Sequence, residues 1–113
     1  MSAGIYKMWC DQGATFLLVL TWRNPDGTPI NLTGYTAEMR VAPTKGATLV
    51  LHPTTANGQI ALGGALGTVT ITVPASITES LNPGQYAYEL DLTSGGGIVT
   101  RLVEGPFIVD GQV

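Results

Sequence analysis

The sequence predicts an all-β fold, an antiparallel β-sandwich of about seven strands with one short helical crossover. Three observations carry that expectation. Short apolar or alternating segments are separated by turn clusters at roughly 8–12-residue spacing. Glycine and proline, the residues that punctuate turns, number 15 and 7. Charged residues make up only 12% of the chain, about half the average share, as suits a compact domain with many neutral turns.

The elements follow in order. Ala14–Trp22, "ATFLLVLTW", is continuously apolar or β-branched and reads as a strand buried on both faces. "RNPDGTPI" after it carries Asn-Pro-Asp-Gly turn chemistry, with Pro25 presetting φ and Gly27 accepting a positive one, so a hairpin is expected. From Tyr35 the period is two: Tyr35, Ala37, Met39 and Val41 share one face, with Thr36, Glu38 and Arg40 on the other. Thr48–His52 reads as a short strand after the "APTKGA" loop. Asn57-Gly58 signals a turn before a further short strand at Ile60–Leu62. In Thr68–Val73, "TVTITV", Val69, Ile71 and Val73 point inward and the threonines outward.

Pro74–Leu81 is the one helix-like segment, with Ser76 and Glu79 at capping-box spacing, and it reads as the crossover between sheets. Beyond it, "LNPGQYAYELDL" turns at Pro83-Gly84 and alternates, placing Tyr86, Tyr88, Leu90 and Leu92 inward. A tyrosine just after such a corner is the arrangement of immunoglobulin-like sandwiches, where its hydroxyl bonds back across the connection. Leu81, Pro83, Gly84 and Tyr86 are therefore assigned to a structural corner. "SGGG" turns the chain into a last strand, Ile98–Val109, in which Pro106 interrupts the ladder or marks an edge. With 113 residues there is one core. The sandwich is expected over residues 14–110, with residues 1–13 as an N-terminal arm or first edge strand and residues 111–113 as a tail.

Composition excludes several function classes. Net charge is −3, and Lys7, Arg23, Arg40, Lys45 and Arg101 are scattered, so no basic stripe meets nucleic acid or a membrane surface. The single cysteine, Cys10, forms no internal disulfide and suits a reducing cytoplasm. No secretory leader is visible, and Phe16–Leu20 is too short an apolar run to span a bilayer. His52 stands without an acidic or cysteine cluster near it in sequence, a poor metal ligand or base. Cys10 and His52 lie in no nucleophile motif. Glu89 and Asp91, two apart on one strand face, have the spacing for a carboxylate pair or calcium site, but read better as solvated outer-face charges. The glycines of Gly63–Gly67 lack the Lys-Ser/Thr of a phosphate loop. No catalytic, cofactor-binding or metal-ligating set is expected. What remains is Ile5, Tyr6, Met8 and Trp9, an apolar group ahead of the main pattern that either packs on its own domain or docks a partner.

The order of several blocks is also familiar: "G-x-T-F" at Gly13–Phe16, "D-G-T-P-I-N-L-T-G-Y" at Asp26–Tyr35, "L-x-P-G-x-Y-x-Y-x-L" at Leu81–Leu90 and "V-T-R-L-x-E-G" at Val99–Gly105. The segments that hold them span residues 11–109, and in this order they resemble small bacteriophage tail-associated domains, similar to the N-terminal domain of baseplate upper proteins. The resemblance implies an immunoglobulin-like sandwich used as a virion building block. The chain would be made in the host bacterial cytoplasm and be homo-oligomeric in the particle. Its partners would be other virion proteins of the tail, portal or adaptor, fibre or spike. It implies an adaptor of the tail, baseplate or head–tail region, with the N-terminal arm reaching a neighbour and residues 1–12 dispensable for folding. Rival readings are a capsid decoration protein and a carbohydrate-binding module. The module needs a surface row of aromatics, yet all but Tyr6 and Trp9 fall in expected strands or corners.

Overall fold

The structure, a computed structural model, describes residues 4–112. Residues 1–3 of the expected arm and residue 113 of the expected tail lie outside that range. Among the described residues eight strands form: β1 (Gly4–Ile5), β2 (Met8–Asp11), β3 (Phe16–Thr21), β4 (Thr36–Ala42), β5 (Ile60–Leu62), β6 (Thr68–Val73), β7 (Gly84–Thr93) and β8 (Val99–Asp110). A one-turn helix, α1 (Ala75–Thr78), joins β6 to β7 and so carries the chain from one sheet to the other.

One sheet runs β1-β8-β7-β4, with β2 also on β8, and the other runs β3-β6-β5. Hydrophobic burial holds them face to face. Val69, Ile71 and Val73 of β6 are buried, and so are Met39 and Val41 of β4, Tyr88, Leu90 and Leu92 of β7, and Phe107 and Val109 of β8. Aromatic rings bridge the gap: Phe16 of β3 meets Phe107 at 5.5 Å between centroids, and Tyr88 lies edge-on to Phe107 at 6.4 Å. The whole is an immunoglobulin-like sandwich. Its strands number eight, against about seven expected, because the N-terminal segment contributes two short ones.

That segment also departs from the antiparallel expectation. β1 and β2 both run parallel to β8, with Ile5 beside Glu104 and Trp9 beside Ile108. Pairing lapses at Tyr6–Lys7, opposite Gly105–Pro106. Pro106 has no N–H to offer there. Gly105 has φ +148°, and a Cβ on it would sit 2.8 Å from the Tyr6 carbonyl oxygen. The same oxygen accepts a bond from the Tyr88 hydroxyl. β8 is thus an interior strand whose ladder is interrupted on one side. Met8 and Cys10 alternate inward and are buried, so β2 contributes to the core, and of the two readings given for the N-terminal segment β2 fits the edge strand.

Three other expectations change. β3 is not buried on both faces: Phe16 is buried, but Leu17 is 63% and Val19 55% exposed, since only the inner face has a sheet across from it. Thr48–His52 is not a strand. Only Leu51 forms a bridge there, with Val41, and Thr54 adds one with Glu38. Residues 50–55 do run antiparallel along the β4 edge: the Val41 and Met39 amides donate to the Leu51 and Pro53 carbonyls, and the Thr55 amide donates to the Ala37 carbonyl. Ser76 and Glu79 form no capping box, because the helix starts after Pro74 and Ser76 already lies inside it. The "RNPDGTPI" segment closes locally, with Asp26 accepting from the Thr28 amide and Arg23 bridged to Pro29, but the flanking β3 and β4 belong to different sheets.

Replacing Phe107 with alanine removes the ring common to both aromatic contacts. Urea unfolding should register a loss of roughly 3–5 kcal/mol. Tyr86→Phe deletes only one hydrogen bond and should lose about 1 kcal/mol with the fold intact.

Candidate functional site

The residues singled out in the N-terminal segment divide by face. Along β2, period-two alternation sends Met8 and Cys10 inward and leaves Trp9 and Asp11 outside. Met8, named as an arm residue, is therefore core at 2% exposure. Ile5, at 76%, and Trp9, at 56%, stand on the surface, and Tyr6 is partly exposed. The Lys7 ammonium lies 4.4 Å from the centre of the Trp9 ring, a cation–π contact that orients the indole. Burial, reinforced by the charge of Asp11, pushes the Cys10 thiol up to about 11. Its thiol is protonated and inert at neutral pH. Cys10 and His52 lie at opposite edges of the five-stranded sheet and form no pair.

The corner residues come together at the start of β7. Leu81 is buried, Gly84 opens the strand with φ +150°, and the Tyr86 hydroxyl donates to the Asn82 carbonyl at 2.6 Å. Pro83 packs beside Gly111. Gln12 ties this end together, donating to the Leu81 carbonyl at 2.7 Å and accepting from the Gln112 amide at 3.2 Å.

The outer face of the five-stranded sheet carries a chain of charges that sequence reasoning left unassembled. Arg40 of β4 reaches Glu38 at 2.6 Å, Glu89 at 3.2 Å and Asp91 at 2.5 Å. Arg101 of β8 reaches Asp91 at 2.9 Å and Glu89 at 3.1 Å. His52 Nε2 lies 2.6 Å from Glu38. Register explains the set. Arg40 faces Glu89 across β4–β7, whereas Glu38 faces Asp91, a like-charge pair that Arg40 bridges. On the other side, Leu90 pairs with Val103 but Asp91 with Arg101, so Leu102 is the extra residue of a β-bulge. Without the bulge Asp91 would oppose Leu102; with it, Asp91 meets a guanidinium. Asp91 is consequently 6% exposed under two arginines, a correction to its reading as a solvated charge.

The Asp91 hydrogen bond, with the charges of Asp91 and Glu89, holds the Arg101 guanidinium above its ordinary value. For Arg40, burial pulls the other way but the Asp91 hydrogen bond and the Glu38 charge outweigh it. The cluster is internally satisfied: among the described residues, no buried side-chain polar atom lacks a partner, and no group of three or more His, Cys, Asp or Glu side chains is placed to hold a metal. Beside it, two shallow grooves share Thr44, Lys45 and Ala87. One runs on to Arg40, Leu49 and Glu89, the other to Ile5, Gln85 and Pro106. Lys45 lies between them, 3.7 Å from Glu104. Ile5 therefore lines a concave strip that ends at the arginine–carboxylate cluster.

No protein-family model and no curated protein matches the sequence. Solved structures do match. A chain from the structure of ICOS in complex with ICOS-L and an anti ICOS-L VNAR domain aligns with a TM-score of 0.56 at 12% identity, over 96% of this chain and 56% of that one. CopC from Methylosinus trichosporium OB3b aligns with a TM-score of 0.49 at 16% identity, over 99% and 88%. The first of these likenesses, like the strand order, shows the immunoglobulin-like fold, and the fold alone.

Asp91→Ala leaves two guanidiniums without their shared acceptor. Because both arginines also reach solvent, the loss in chemical denaturation should be about 2 kcal/mol, and Glu89→Gln should lose under about 1 kcal/mol. Cys10 predicts an alkaline effect. Its folded value is raised, so the stability it contributes is present in full below about pH 9 and is lost as pH rises through about 11. A Cys10→Ala variant should show a smaller drop in melting temperature across that window than the parent.

Proposed function

We propose that this chain is a non-enzymatic structural protein of a bacteriophage particle, an adaptor in the tail, baseplate or head–tail region that docks fibres or spikes. The observation that carries the reading is the surface apolar set of the N-terminal strands. Ile5 and Trp9 stand exposed on a segment hydrogen-bonded along β8, beside a groove, and an apolar anchor on a rigid strand suits protein docking. The ordered blocks shared with tail-associated domains support the same reading and supply its particle context. The charge distribution is in keeping with it: the outer-face arginines and carboxylates neutralise one another, so contacts with a partner rest on apolar and neutral groups.

Since Met8 and Cys10 belong to the core, the docking strand is tested by point substitution and not by deletion. Trp9→Ala with Ile5→Ser should keep stability within about 0.5 kcal/mol. It should sharply reduce incorporation into particles, scored by immunogold labelling of purified phage in negative stain. Gold at the tail or neck for the parent chain supports the adaptor. Gold over the whole shell makes the chain a decoration protein. Particles without label, with expression and epitope access verified, reject the virion reading and favour the carbohydrate-binding module.

A further inference from the structure

The sandwich has four strand edges, and three of them are protected. The β1–β2 edge is broken at Tyr6–Lys7 and flanked by Lys7 and Asp11. The β4 edge is rimmed by the bridges from Leu51 and Thr54. β5 is only three residues long. β3 alone is long and bare: six residues, Phe16–Thr21, without charge, proline or bulge. Natural edge strands use those devices to prevent pairing with another chain. Moreover, no strand of the small sheet carries a charged side chain, neither "FLLVLT", "IAL" nor "TVTITV".

Hydrogen-bond direction shows what the edge offers. Trp22 donates to Gly67 on the β6 side, and Thr72 donates to Gln59 on the β5 side. Antiparallel alternation then turns the main-chain groups of Leu18 and Leu20 toward β6, and those of Leu17, Val19 and Thr21 toward the open edge. Among the described residues, these outward amides have no main-chain partner. Their side chains also stand on the outer face, Leu17 and Val19 exposed.

We propose that a second copy of this chain pairs antiparallel along β3, related by a two-fold axis at Leu18. The occupant follows from self-complementarity. With the axis at Leu18, Leu17 faces the partner copy's Val19, Phe16 faces its Leu20, and Thr15 faces its Thr21, so residues of like character meet throughout. Leu17 and Val19 are both outward-bonding positions, so this register makes them a hydrogen-bonded pair and unites the two exposed side chains of each copy into one apolar strip. The small sheet becomes a continuous six-stranded one. Electrostatics permits it: the chain is −3 overall, but no charge lies on the strands that meet. The inference does not depend on where the protein acts, and a closed two-fold contact is the commonest oligomeric form.

Sedimentation equilibrium of the full chain, from about 1 µM to about 1 mM, should show a monomer–dimer equilibrium. Two double variants test the register. Leu17→Lys with Val19→Lys sets like charges opposite one another and should weaken dimerisation by about 100-fold or more. Leu17→Lys with Val19→Glu sets opposite charges together and should dimerise more tightly than the double-lysine variant. In the unsubstituted chain, hydrogen exchange at the Leu17 and Val19 amides should slow as concentration rises, a readout that needs no variant to fold. A chain monomeric up to the highest concentration overturns the proposal. So does a dimer that forms equally well with both lysines, or one that leaves the two amides exchanging at their dilute rates.

Discussion

The arrangement depends on the Tyr6 carbonyl. It accepts the Tyr88 hydroxyl and sits against Gly105, where a side chain would collide with it. This contact lies where the parallel pairing with β8 lapses, so it holds the N-terminal segment to the sheet across the gap between β1 and β2. On either side the consequences diverge. Beyond it, Met8 and Cys10 complete the core; before it, Ile5 stays outside beside the groove. A hydroxyl buried to make such a bond is held as phenol, and burial, with the charges of Tyr6 and Glu104, raises Tyr88 well above the ordinary tyrosine range. The N-terminal strands and the core are therefore parts of one mechanical unit.

The two sheets differ in how their outer faces are finished. The larger one is covered by a cross-strand set of arginines and carboxylates, with Asp91 at its centre. The smaller one is neutral, built from threonine, leucine and valine. Ion pairs that reach solvent, as these do, add little stability one by one. Here the Leu102 bulge and the Asp91–Arg101 pair specify the same β7–β8 alignment, so a slip of one residue would lose both.

Where a segment's period matched its environment, the sequence was legible. β6 alternates with valine and isoleucine inward and threonine outward, and β7 carries its tyrosines and leucines as expected. The Pro-Gly corner was readable because its chemistry is local. β3 was misread because its outer face is apolar, and periodicity cannot distinguish an apolar face that is covered from one that is not. The charge cluster was invisible for a different reason. Arg40 lies about fifty positions from Glu89 and Asp91, as their separations of 49 and 51 record, and one-residue bulges leave no local signature. His52 seemed isolated because its partner Glu38 lies 14 residues earlier and reaches it only across the β4 edge.

The first and last strands are neighbours: β1 and β2 find their partner only in β8, residues Val99–Asp110. On a ribosome, which releases the chain from its N-terminus, this has a temporal meaning. Met8, Trp9 and Cys10 are made before β8, and have no strand to pair with until it has followed them. Such long-range closure makes folding slow for the chain's size, and the waiting segment is a stretch for which a chaperone has use. The N-terminal strands are, during synthesis, the ones separated from their partner by the longest stretch of chain.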